Sequence, residues 1–148
     1  LFYFNFVRQN RYKDECFWTT SYNSPLHNAW AGFSFEMLCQ SHISQIKRTL
    51  GIFGVQTLVC SWRGKGEDNG AQIDLVIDRK DDTINLCEMK YAREEFEEKL
   101  QNKINAFAHS TGTRKTLLLT MMTTYGIKDN MHSGVVQSEV TLDDLFAC

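Results

Sequence analysis

The stretch GAQIDLVIDRKDDTINLCEMKYA, residues 70–92, sets two apolar runs around a charged centre, and the second run closes on Glu88-Met89-Lys90. Short, β-branched-rich and bounded by turn residues, the runs read as strands over 72–78 and 84–91, joined by RKDDT. Most of their side chains are types that bury, so Asp74, Glu88 and Lys90 need a reason to be there. Side chains alternate across a strand. Asp74 is therefore expected on the face of Gln72, Val76 and Asp78, and Glu88 and Lys90 on the face of Ile84 and Leu86. A hairpin tip at Lys80-Asp81-Asp82 sets Arg79 against Thr83, Asp74 against Glu88 and Gln72 against Lys90. A slip of one residue would send the two acids to opposite faces.

Directly opposed residues hold their Cβ atoms about 4.5–5.5 Å apart. Two carboxylates at that spacing repel when both are ionised, and a divalent cation between them removes the cost while gaining hard oxygen ligands. Mg²⁺, or Mn²⁺, held by Asp74 and Glu88 suits phosphodiester chemistry, because such an ion polarises a phosphoryl oxygen and acidifies water. Lys90, two residues on and on the same face, is placed to orient that water or to offset charge building on the phosphate. Met89 points the other way, into the core.

Working outward, residues 30–50 carry Phe35, Leu38, Cys39, Ile46 and Leu50 at helical spacing, predicting one long amphipathic helix ended by Gly51. Glu36 sits roughly 100° round from Phe35, where it either reaches over the sheet edge toward the metal or stays a solvated flank residue. A strand is expected over 55–62, a glycine-rich loop over 63–70, and a second amphipathic helix with Phe96, Leu100, Ile104 and Phe107 inward. The continuous apolar run KTLLLTMM, 115–122, reads as a strand buried on both faces. TLDDLF reads as a short terminal helix with Thr141 as its N-cap. Residues 1–28, aromatic but aperiodic, are expected to form a connecting segment, with the main domain over 29–148. The element order gives an α/β fold, a mixed sheet with an α-β-β-β-α-β core and helices on both faces.

Composition excludes several classes. At 148 residues, 43% hydrophobic and with one proline, the chain has one domain's length and a core of its own. Its net charge of −2, with acids concentrated after residue 67, argues against simple coating of nucleic acid. Five scattered cysteines without a C-x-x-C pair fit neither a disulfide framework nor a zinc site. They point to a reducing, cytoplasmic compartment, with Cys39 and Cys87 as small core residues. The opening LFYFNFV is too short to span a membrane. GTRKT, 112–116, is no phosphate-binding loop, and Ser61 and Ser110 lack a His/Asp partner at recognisable spacing. Lys99, Lys103, Arg114 and Lys115 read as solvated cations before they read as a phosphate track. Trp18, Trp30 and Trp62 read as core or interface.

An acid on the second strand and Glu-x-Lys on the third, between two helices, resembles the PD-(D/E)XK nuclease superfamily over residues 29–125. More closely, the segments WAGFSFEMLCQSHISQIKRTLGIFGVQTLVCSW, QIDLVIDRKDDTINLCEMKYA and VTLDDLF resemble the C-terminal domain of a bacterial and archaeal family of AAA+/STAND-type ATPases. That resemblance implies a restriction-endonuclease-like fold, DNA as partner, and ATPase and winged-helix portions preceding this chain. It implies Asp74 and Glu88 as metal ligands, Lys90 as catalytic lysine, Glu36 as first-helix acid and Gln72 as a supporting polar residue. Ile73 stands where the motif's proline would be. Two functions follow: a Mg²⁺-dependent nuclease, or a catalytically silent nuclease-like module that binds DNA or regulates the attached ATPase.

Overall fold

A computed structural model describes residues 16, 19, 22, 24–65, 70–91, 98–127 and 136–147. Helix α1, Pro25–Ser41, begins because Ser24 holds an extended backbone and its hydroxyl accepts the His27 N–H at 3.2 Å, while Pro25 needs no partner in the first turn. This start lies five residues ahead of the expected one, so the last part of the expected 1–28 connecting segment is helix. The single long helix is also broken. The Ser41 hydroxyl donates to the Met37 carbonyl and the His42 ring to the Leu38 carbonyl, both at 2.8 Å. Two side chains thus compete for carbonyls that the next turn would use. A new helix, α2, Ile43–Thr49, follows and stops at Gly51, whose φ of 69° glycine adopts freely.

The strands are β1, Thr57–Arg63; β2, Gln72–Arg79; β3, Thr83–Lys90; β4, Thr116–Thr123; and β5, Ser138–Thr141. Helix α3, Glu98–Thr111, lies between β3 and β4. They form one sheet in the order β1-β2-β3-β4-β5, antiparallel from β1 to β3 and parallel from β3 to β5. The chain is therefore mixed α/β, a five-stranded mixed sheet with three described α-helices. The β2–β3 turn places Asp82 at φ 58°, a left-handed conformation that a short polar side chain tolerates. Arg79 clamps the turn through an ion pair with Asp81.

Neighbouring residues of the central strands divide between two cores. Leu75, Ile77, Cys87, Met89 and Met122 pack with Phe35, Cys39 and Ile46 of α1 and α2. Val76, Ile84 and Leu86 pack with Phe107 of α3, and Leu119 and Met121 with its Leu100. The expected apolar stripe of the first helix is thus inward, although α1 is not amphipathic: its outer side exposes Leu26, Phe33 and Met37. Trp62 meets Phe107 edge-on at 5.3 Å, a core role, whereas Trp18 and Phe96 lie outside the described residues. Ile77, fully buried at the centre of β2, gives a direct test of this packing. Ile77→Val is expected to cost about 0.5–1.5 kcal/mol in urea denaturation, and an equal substitution-free midpoint would remove Ile77 from the core.

Two expectations for the C-terminal part need correction. A fifth strand, β5, lines the far edge of β4, and only Val140 of its four residues is buried, which leaves no apolar run to read. Thr141 ends that strand and caps nothing with its side chain. Instead the Asp144 carboxylate accepts both the Thr141 N–H at 2.7 Å and its hydroxyl at 2.8 Å, and a single 3-10 turn, Asp143–Leu145, replaces the expected helix. No described helix is long and apolar enough to cross a membrane.

Candidate metal centre

The hairpin register is the expected one: Leu75 faces Cys87, Val76 faces Leu86, Ile77 faces Asn85 and Asp78 faces Ile84. At Asp74 the ladder stops, and the reason lies on the opposite side of β2. Cys60 of β1 pairs with Val76, and Trp62 with Ile73, so Asp74 and Leu75 together oppose Ser61 alone. This is a β-bulge, with β2 carrying the extra residue. Ile73 and Val76, three positions apart, consequently pack in one cluster with Trp62, which strict alternation forbids.

The bulge re-aims Asp74. Its Oδ2 accepts the Met89 backbone N–H at 3.0 Å. A strand N–H points within the sheet toward the neighbouring strand, so this carboxylate stands in the seam between β2 and β3. There it stands in for a ladder acceptor, just past the last strand pair Leu75–Cys87.

Across the seam, Glu88 is 2% exposed. It shares the face of Ile84 and Leu86, toward α3, and Lys103 of α3 donates to its Oε2 at 2.6 Å. Its Oε1 is buried with no hydrogen-bond partner. Burial pushes the Glu88 carboxyl up to about 7, the negative charge of Asp74 adds to the shift, and Lys103 and Lys90 oppose it. A buried, half-satisfied carboxylate costs stability unless something cationic completes it.

Lys103 is the residue the linear reading misjudged. It was expected as a solvated cation, yet it stands three residues after Leu100 and four before Phe107, both inward, so helical spacing puts it on the packed face. Lys115, also expected as a free surface cation, is tied at 2.5 Å to Asp78. The side chain of Lys99 lies outside the described residues.

The other expected site residues fall as follows. Lys90 closes β3, half-buried, and its charge reaches both Glu88 and Glu36. Glu36 sits half-buried on α1, and burial raises its carboxyl first, with Asp74 adding and Lys90 opposing. Glu36, Asp74, Glu88 and Lys90 therefore share one electrostatic neighbourhood at one end of the sheet, served by α1, β2, β3 and α3. Gln72 does not join it: exposed, it turns to β1 and accepts from Arg63 at 2.8 Å.

Among the described residues no three His, Cys, Asp or Glu side chains converge as a metal-binding group. The carboxylates that would hold a cation are Asp74 and Glu88, and a buried oxygen of Glu88 has no hydrogen-bond partner. That set fits Mg²⁺ better than zinc, since Mg²⁺ takes one or two carboxylates and fills its remaining positions with water and substrate oxygens. A cavity of about 280 Å³ lies elsewhere, under the far end of α3 and lined by Trp62, Val76, Asp78, Ile84, Phe107 and Thr111. Comparisons with protein-family models, curated proteins and solved structures gave no match.

Proposed function

We propose that this chain is a Mg²⁺-dependent nuclease-type domain acting on DNA phosphodiesters, with a restriction-endonuclease-like sheet, working in the cytoplasm as the C-terminal part of a larger ATPase. The observation that carries the reading is the electrostatic coupling of the Asp74 carboxylate to that of Glu88, which is buried with an unpartnered oxygen, with the Lys90 charge acting on it too. Such a pairing is costly for folding alone, and charged groups held this way among apolar strands mark sites of chemistry.

In this reading Asp74 and Glu88 hold the cation, which supplies Lewis-acid polarisation of a phosphoryl oxygen when bound. Asp74 is aimed by the bulge and fixed by Met89 N–H, so its position is set before any ligand arrives. Lys90 brings a compact positive charge to the phosphate and orients the attacking water. Glu36 flanks the pair from α1 and keeps the seam electronegative. A catalytically silent module that binds DNA or governs its ATPase is the second reading, favoured by the Lys103 ion pair that already occupies Glu88 Oε2.

Plasmid DNA incubated with the chain in Mg²⁺ or Mn²⁺, beside Glu88→Ala and Lys90→Ala, separates the two. Metal-dependent nicking is expected of wild type, lowered about 10²-fold by Lys90→Ala. Absence of cleavage by wild type, or equal cleavage by all three, would overturn the enzymatic reading.

A further inference from the structure

The ion pair between α3 and β3 is drawn from the same atoms that a cation would use. Lys103 Nζ lies 2.6 Å from Glu88 Oε2, the Glu88 side chain is 3% exposed and that of Lys103 is 28% exposed. With Asp74, Glu88, Lys90 and Lys103 all charged, the two lysines balance the two sheet carboxylates, and Glu36 of α1 adds a third acid beside them. A dication entering it would meet the Lys103 ammonium bonded to an oxygen it needs, with the Lys90 charge also acting on the site, and like charges at hydrogen-bond distance repel strongly in a partly buried site. The two lysines are not equivalent. Lys90 ends a strand and makes no described hydrogen bond to Glu88, whereas Lys103 is bonded to it directly on a flexible stem that already reaches solvent. Release of Lys103 therefore costs little desolvation, and it leaves Glu88 as a full ligand.

We propose that Lys103 is a tethered counter-ion that a divalent cation must displace from Glu88, so that cation entry is coupled to release of the α3 ammonium toward solvent and substrate. This inference rests on the reading of Asp74 and Glu88 as a cation site. In the cation-free state the lysine neutralises the buried carboxylate and holds α3 against β3. In the loaded state its charge is free on the open side of the seam, where a phosphodiester would lie. Weak cation binding in the absence of substrate follows directly.

The test is calorimetric titration of Mg²⁺ and Mn²⁺ into wild type, Lys103→Met, Lys103→Arg and Glu88→Gln at about pH 8, where carboxylates are ionised. Lys103→Met is expected to bind about tenfold more tightly or better, because a like charge has been removed from ligand distance. Lys103→Arg should stay as weak as wild type, and Glu88→Gln should lose binding. A second measurement does not depend on the variant folding: acetylation of wild-type lysines read by mass spectrometry. Mg²⁺ is expected to speed labelling of Lys103 several-fold while Lys115, tied to Asp78, is unchanged. Cation binding with equal affinity in wild type and Lys103→Met, or Lys103 labelling indifferent to Mg²⁺ at saturation, overturns the tethered counter-ion alone. Absence of binding in wild type and Lys103→Met alike overturns the cation site and this inference with it.

Discussion

Glu88→Gln is expected to make the chain more stable than wild type at about pH 8 and to abolish part of its pH dependence. In the folded chain burial lifts the Glu88 carboxyl from 4.5 to about 7. Between those values the native state holds a proton that the unfolded chain has released, so stability falls as pH rises. The favourable contribution is whole below pH 4.5 and gone above about 7. At about 1.36 kcal/mol per tenfold change in proton affinity, the loss amounts to about 3 kcal/mol. Glutamine keeps the shape and carries no charge, while Lys103, partly exposed, regains water when its partner is removed. Urea denaturation across pH 4 to 8 should show the wild-type slope flattened in the variant, with the two curves meeting at the acid end. Glu36, also raised by burial, adds a slope of the same sign to both proteins, and the depressed Asp81 adds the opposite sign at acid pH, so the difference between the proteins isolates Glu88. Superimposable curves would mean that Glu88 is not the titrating group. The same carboxylate must be ionised to take a cation, so Mg²⁺ stabilisation of wild type should grow as pH rises through about 7 and be absent from the variant.

The parts of this architecture legible in the sequence were those that periodicity encodes. The β2–β3 register could be read because the turn-prone tip Lys80-Asp81-Asp82 fixes which residues face one another, and the structure keeps that turn with Asp82 at φ 58°. The burial of Cys39 and Cys87 follows from the apolar runs they sit in, on the helical stripe of α1 and within β3. The bulge at Asp74 could not be read. It is a count of residues between two strands, two on β2 against Ser61 on β1, and neither strand's own pattern contains that count. Its consequence is the largest departure at the site, since it moves Asp74 from a face to the seam and leaves Gln72 turned to Arg63. The break at His42 depends on side-chain hydrogen bonds to carbonyls four residues back, which hydrophobic spacing does not register. Lys103 was legible: its position between Leu100 and Phe107 places a cation on the packed side of α3, and a cation there requires an acid partner.

Asp74 carries two duties that substitution can separate, and the separation decides whether the bulge serves folding or a ligand. As an acceptor, its Oδ2 takes the Met89 N–H that the interrupted ladder leaves over. As a charge, it presses on both Glu88 and Glu36. Asp74→Asn preserves an acceptor oxygen at the same reach and removes the charge; Asp74→Ala removes both. The asparagine variant is expected to unfold within about 1 kcal/mol of wild type, whereas the alanine variant strands a part-buried N–H at a cost of about 1–3 kcal/mol. Relief of repulsion at Glu88 works in favour of Asp74→Asn, so a small net stabilisation at neutral pH fits the same account. Cation-dependent cleavage should respond differently from stability. Both variants lose one of the two anionic ligands, and loss of about 4 kcal/mol of transition-state stabilisation corresponds to about a 10³-fold fall in rate. Plasmid nicking assayed beside urea denaturation reads the two duties on one set of proteins. Cleavage by Asp74→Asn at the wild-type rate would remove the seam carboxylate from the chemistry. The bulge would then be a device for ending the β2–β3 ladder, with Glu88 alone left to draw a cation into the sheet.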